Sequence, residues 1–273
     1  MIAHIQIREK SFGEKTLYND LDFRINAGEK IGFIGRNGTG KSTLFNLISG
    51  VDTDFDGNIE LRRGLVLTSS RQEHQEYEDK IVLNYILDDL PEFTKLKSDI
   101  ESLPDKMDGK NHLIQRYSDA LERFGILGYY EVEEEVLRAL ASYQIDDEKA
   151  RSKLKNLSGG QKRLVELVKV QRARADLALI DEPTNHMDYI AKESFISWLR
   201  STKEAVVVIS HDRDVLKSVD RIIEIRDGQA DITNGNYDTF LKSNTSRMTS
   251  EVNEYSVRQR RITNLQNDVI RSR

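Results

Sequence analysis

The sequence predicts an α/β fold with a mostly parallel core sheet, an N-terminal antiparallel β subdomain, a helical subdomain and a C-terminal linker helix. Three observations predict it. The apolar run Ile31–Ile34 ends at a glycine and leads through Gly35-Arg-Asn-Gly-Thr-Gly-Lys-Ser42 toward a helical segment, as a buried strand feeding a phosphate-binding loop does. The apolar runs Leu177–Ile180 and Ala205–Ser210 flank a helical stretch, Ala191–Ser201, and such strand–helix alternation builds a parallel sheet with helices on its faces. The stretch from about Lys80 to Lys155 reads instead as mostly helical and strongly charged.

The elements follow in order. Ile5 and Ile7 form one alternating apolar set and Leu21, Phe23 and Ile25 another, each a strand with one buried face. Asn26-Ala-Gly28 is a turn. A helix from about Lys41 to Ile48 follows the loop, and Gly64–Thr68 is a strand leading to Ser69-Ser-Arg-Gln72. Ile81, Tyr85, Leu87 and Leu90 give a rough helical stripe, and Pro91, Pro104 and Gly109 break the charged region into pieces. Glu131, Glu133, Glu134 and Glu135 read as a solvated acidic face. A helix from Gly160 to about Ala175 precedes the Leu177 strand. Arg221–Ile225, Asp227-Gly228 and Gln229–Thr233 read as a final hairpin. From Met248, the positions Val252, Tyr255, Gln259, Ile262, Gln266 and Val269 continue a heptad seam with two polar interruptions. No helix-stop signal precedes Arg273, so the chain reads as ending inside a long helix. The expected domains are 1–241, with a helical subdomain and an arm within about 77–157, and 242–273, the start of a basic linker helix.

Composition narrows the class. With 38% hydrophobic and 32% charged residues, the 273-residue chain reads as soluble and globular. Its longest purely apolar run, about Ala205–Ile209, falls far short of the roughly 20 residues of a membrane helix. The N-terminus lacks the apolar core of a secretion signal, and the absence of cysteine excludes disulfides and thiolate metal sites. These features fit the cytoplasm. The net charge of −5 divides unevenly: +4 from Lys242 to Arg273 leaves −9 on the remainder, so an anionic partner is expected to meet the tail.

The chemistry sits in five motifs. In the Walker A pattern, Gly35, Gly38 and Gly40 let the backbone wrap phosphates, with Asn37 and Thr39 completing the loop. Lys41 supplies positive charge to the β- and γ-phosphates, Ser42 a hydroxyl for Mg²⁺, and Thr43 reaches the α-phosphate. Leu177-Ala-Leu-Ile-Asp-Glu182 is the Walker B pattern. Asp181 ends the apolar strand, where its carboxylate serves Mg²⁺. Glu182 is the candidate general base for an attacking water; the alternative is that it only orders water or partners. Gln72 either ligates Mg²⁺ or positions that water. Ser158, Gly159, Gly160 and Gln161 open a helix whose N-terminus attracts anions. Within one domain this site lies far from the Lys41 loop; facing a second domain it touches that domain's γ-phosphate. His211 follows an apolar strand and is expected to bond the γ-phosphate and orient Glu182. His4, His74 and His112 read as surface residues. Phe12 either stacks on adenine or is a core aromatic.

Together these motifs resemble those of an ATP-binding cassette domain, over about residues 1 to 236. The resemblance implies the cassette fold, ATP and Mg²⁺ as ligands, and ATP hydrolysis. A narrower resemblance is to the ABC-F family, relatives of transporter ATPases without a membrane domain. Pro183-Thr-Asn-His-Met-Asp188 is similar to that family's Walker B extension, with Met187 where Leu is usual. Gly235-Asn-Tyr-Asp-Thr-Phe240 resembles the start of its interdomain linker, and the basic heptad tail resembles the first linker helix. Phe12 stands where a tyrosine is frequent. Family members carry two cassettes on one chain and bind the ribosome, where the linker approaches tRNA and the peptidyl-transferase region. Some are translation factors and others protect ribosomes from antibiotics. The resemblance therefore implies an N-terminal half whose partners are a second cassette, on the same chain or in a second copy, and the ribosome through rRNA and tRNA. It also implies an arm, about Asp88 to Phe124, that touches the ribosome. A nucleotide-binding subunit of a membrane transporter explains the cassette equally well, but not the tail or the Thr-Asn-His-Met-Asp sequence. A non-catalytic RNA-binding or scaffold module in which ATP is only structural is the third reading.

Overall fold

The computed structural model describes residues 1–13, 15–70, 75–106, 111–185 and 187–245. β1 (Ala3–Phe12) pairs antiparallel with β2 (Lys15–Ile25) on one side, and with the strand at Asp56–Leu61, β4, on the other. Ile5, Ile7, Leu21, Phe23 and Ile25 are buried, as their alternation predicts. β4 was not legible in the sequence, because this edge strand keeps only Ile59 half-buried, opposite Ile5.

The second sheet is built on β3 (Lys30–Ile34). Its other strands are β5 (Leu67–Ser69), β6 (Leu177–Asp181), β7 (Ala205–Ile209), β8 (Arg221–Arg226) and β9 (Gln229–Asn234), in the order β5-β6-β7-β3-β8-β9. All neighbours pair in parallel except β8 and β9, which form the expected hairpin. Every residue of β3 and β7 is buried, which is why both read as continuous apolar runs. The phosphate loop after β3, Asp181 and Ile209 therefore stand together at the carboxyl edge of the sheet, where open parallel sheets bind ligands.

Two cores share this sheet. Ala205, Val207 and Ile209 of β7 face one core with the antiparallel sheet and α1 (Lys41–Ile48). Val206 and Val208 face the other, with α8 (Tyr189–Ser201) and the helical region. In that region α2 (Val82–Leu87) and α5 (Val132–Ser142) pack on α7 (Gly159–Arg172), with the short α6 (Asp147–Ala150) against both α2 and α5. α7 ends earlier than the expected Ala175 because Arg174 turns the chain at φ 51°. α3 (Phe93–Ser102) and α4 (Asn111–Ile126) make a helical hairpin, tied by a two-pronged Arg116–Asp99 pair at 3.0 and 2.6 Å. Phe93, Phe124 and Tyr129 pack at its base. Only Ala120 of α4 is buried, so the hairpin stands out from the body. The acidic face is solvated apart from Glu135, which is half-buried, and ion pairs join Lys97 to Glu133 and Arg172 to Glu135.

Residues 237–245 are helical, and Tyr237 and Phe240 pack against the second core. The heptad seam from Met248 onward lies outside the described residues. No described helix is long and apolar enough to cross a membrane.

Candidate nucleotide-binding site

β3 is buried on both faces, so its chain must turn sharply where it leaves the sheet. The glycines make that turn. Gly35 sits at φ 153°, where a Cβ would lie 2.7 Å from the Ile225 carbonyl oxygen. Gly40 sits at φ 94° at the start of α1, where a Cβ would come within 2.6 Å of the Tyr18 hydroxyl. The loop closes on itself through Thr39, whose N–H and hydroxyl donate to the Arg36 carbonyl at 3.3 and 3.0 Å.

Lys41 is buried, and its ammonium donates to the carbonyls of Gly35 at 2.9 Å and Arg36 at 3.1 Å. Burial lowers its pKa, opposed by the nearby Glu182 and Asp181. Ser42 Oγ donates to Asp181 Oδ2 at 2.6 Å, joining the first helix to the end of β6. The Asp181 N–H in turn donates to Ser70 Oγ at 3.0 Å, so the segment entering Gln72 is fixed to the same strand end. Gln72 itself lies outside the described residues.

Glu182 takes a left-handed φ of 46°, uncommon for a residue with a side chain. Its N–H is held by the Ile209 carbonyl at 2.9 Å, which turns the carboxylate off the β6 axis. Glu182 Oε1 lies 3.3 Å from His211 Nε2. Burial raises the Glu182 pKa, and Asp181 adds to this; His211 and Lys41 pull it down.

A cleft of about 420 Å³ brings these groups together. Nine of the residues expected from sequence line it: Asn37, Gly38, Gly40, Lys41, Ser42, Thr43, Asp181, Glu182 and His211. Gly35 and Thr39 shape the loop behind it. A larger cavity of about 640 Å³ shares Ser42 and Asp181 and runs under β5 to the buried Lys169. There Lys169 pairs with Glu166 at 2.9 Å, and Tyr85 bonds Glu166, tying α2 to α7.

The remaining expected residues stand elsewhere. Phe12 is 55% exposed at the end of β1, so it is not a core aromatic; the Lys10 ammonium lies 4.8 Å from its ring centroid. Its cross-strand partner Lys15 reaches the Gly38 carbonyl at 3.3 Å, which puts the Phe12 turn beside the phosphate loop. Ser158, Gly159, Gly160 and Gln161 open α7 and do not line the cleft. Ser158 and Gln161 form a reciprocal capping box, and a Cβ at either glycine would meet open space. His4 is half-buried and bonded to Asp22 at 2.8 Å, not free at the surface. Sequence reasoning missed Tyr18 and Ser70, whose hydroxyls bond the backbone of the phosphate loop and of Asp181. Tyr18 falls out of step with the apolar alternation of Leu21, Phe23 and Ile25, so no periodic signal marked it.

The sheet order, the antiparallel sheet at its front and the helical region between β5 and β6 define an ATP-binding cassette. Residues 18–185, more than half of the chain, match the ABC transporter family model, and the chain belongs to that family. It is 30% identical over 246 residues to the uncharacterized ABC transporter ATP-binding protein YfmR of Bacillus subtilis, covering 87% of this chain and 38% of the relative. It is 28% identical over 274 residues to the probable ATP-binding protein YheS of Escherichia coli, covering 100% and 42%. It is 29% identical over 258 residues to the energy-dependent translational throttle protein EttA of Mycobacterium tuberculosis, covering 93% and 46%. The chain thus spans less than half the length of these relatives. Among solved structures, a nucleotide-free ATP-binding cassette from an ABC transporter superposes with a TM-score of 0.61 at 19% identity, over 88% of this chain and 94% of that one. A dimeric post-hydrolysis cassette bound to ADP and Pi gives 0.59 at 21% identity, over 86% and 98%.

Proposed function

We propose that this chain is an ATP-hydrolysing cassette of the ABC-F type, which closes on a second cassette around ATP and acts on the ribosome. The observation that carries the reading is a division of labour. The cleft holds a lysine, a serine–aspartate pair and a glutamate–histidine pair, while the capped, glycine-opened N-terminus of α7 does not line it. A second cassette presenting a bound triphosphate gives that terminus its ligand.

The residues fit the expected ligands. Glycines at 35 and 40 leave room that any Cβ would fill, and Lys41 directs a cation at the cleft. Ser42 Oγ and Asp181 Oδ2 would hold Mg²⁺, which when bound neutralises charge developing on the phosphates. Few protein oxygens suffice, because such ions take the rest of their shell from phosphate and water. Phe12, exposed at the end of β1 beside the loop, would stack on the base. Gln72 is assigned to the metal or the attacking water on its sequence position alone. Water attacks the γ-phosphorus, its proton passes to Glu182, and the bond to the ADP oxygen breaks. The raised pKa brings Glu182 nearer to the value a general base needs at neutral pH. His211 holds the carboxylate in place.

The ribosome is supported by the Thr184-Asn-His-Met-Asp188 sequence, by the projecting α3–α4 hairpin and by likeness to a translational throttle protein. Protection from antibiotics and regulation of translation are both within this reading. The test is ribosome co-sedimentation of the full-length protein with Glu182→Gln and the same change in any second cassette. ATP-dependent pelleting at physiological salt is expected. No pelleting with or without ATP would favour a nucleotide-binding subunit of a membrane transporter.

A further inference from the structure

We infer that Tyr18 is a positioning residue of the phosphate loop: its hydroxyl holds the Gly40 carbonyl and so turns the Lys41 N–H toward a bound phosphate. The inference rests on the nucleotide reading above.

Tyr18 is fully buried in β2, and its hydroxyl donates to the Gly40 carbonyl oxygen. That same oxygen accepts the Leu44 N–H at 2.9 Å, the first bond of α1. Burial pushes the phenol pKa well up, so the hydroxyl remains a donor at any physiological pH. A trans peptide is planar, with its carbonyl oxygen and its N–H on opposite sides. Two donors on the Gly40 oxygen therefore fix the direction of the Lys41 N–H. Lys41 is the first residue of α1, so this N–H has no acceptor within the helix. Hydrogen bonds at a carbonyl also polarise the amide and strengthen its N–H as a donor.

The hairpin carrying Tyr18 is anchored for this task. Its cross-strand partner Lys10 is buried and bonded to Asp52 at 2.9 Å and to the Asp54 carbonyl, just beyond α1. Lys15 holds the Gly38 carbonyl at 3.3 Å. The hairpin thus grips the loop and the far end of the helix that follows it. The match with Gly40 is steric as well, since a Cβ there would lie 2.6 Å from the hydroxyl.

The test is calorimetric binding of Mg-ATP and of tripolyphosphate, which lacks the base, to the chain and to Tyr18→Phe. The variant keeps the ring and loses only the donor. Affinity for both ligands should fall by about three- to tenfold, with the thermal midpoint little changed. Binding within about twofold of the parent, or a loss for ATP that spares tripolyphosphate, would overturn the inference. Failure of the parent to bind ATP removes the nucleotide reading instead. Should Tyr18→Phe not fold, the parent decides. With ¹³C-carbonyl glycine and ¹⁵N-lysine, only the Gly40–Lys41 and Gly109–Lys110 peptides report. Tripolyphosphate must then shift the Lys41 amide, and an unmoved signal overturns the inference.

Discussion

Each end of the central sheet carries a buried lysine beside a carboxyl group that burial raises. At the carboxyl edge these are Lys41 and Glu182; at the amino edge they are Lys30 and Glu204. Burial lowers the pKa of both lysines. What separates the two ends is saturation. Lys30 gives its three protons to the carbonyls of Gly28, Thr202 and Glu204 at 2.7, 2.9 and 2.9 Å, closing the base of the sheet. Lys41 gives two to its own loop and lines an open cleft. Likewise Glu182 is held against His211, while Glu204 keeps Oε2 buried without a hydrogen-bond partner among the described residues. A perturbed lysine–carboxylate pair is thus no mark of function by itself; spare donors beside a cavity are.

The comparison breaks if the two ends respond alike. Glu182→Gln should lower ATP hydrolysis by about 10²–10⁴-fold while nucleotide still binds, whereas Glu204→Gln should leave turnover unchanged. Steady-state turnover and equilibrium binding of the full-length protein, with any second cassette inactivated, check both. Lys41→Ala should weaken Mg-ATP binding by about 10²-fold, as expected for a lost charge-assisted contact. Lys30→Met should instead cost about 2–4 kcal/mol in urea unfolding, because three carbonyls lose their donor.

A pH series sharpens the contrast. Burial pushes Glu204 up to about 7 from an ordinary 4.5, so the folded state holds its proton more tightly than the unfolded chain. The resulting stability is present in full below 4.5 and is lost as pH rises through about 7. Urea midpoints measured from pH 4.5 to 8 should therefore fall less in Glu204→Gln than in the parent. The smallest expected effect lies away from both ends. Arg123→Ala, which removes a surface pair to Glu92 at 2.6 Å, should leave the urea midpoint nearly unchanged.

The legible parts of the molecule are those where chemistry narrows the choice of residue. A loop that wraps phosphate needs glycines and a lysine, and a strand buried on both faces needs an unbroken apolar run. The loop, Asp181, Glu182 and the cores of β3, β6 and β7 were therefore readable. β4 was not, because an edge strand with one half-buried residue carries no apolar pattern. Tyr18 was not, because the buried positions of β2 run 18, 21, 23 and 25, so that, with Asp20 left-handed between, it stands out of step with the alternation that follows. Phe12 was ambiguous, since exposure at a turn is decided by tertiary packing.

β7 divides its side chains between the two cores, and this makes it a party wall. A methyl group added to Val207 presses on the phosphate-loop side; one added to Val208 presses on the helices. Neither tenant can be refurnished without disturbing the masonry common to both. Drift in the helical region of related chains should therefore stop at this strand.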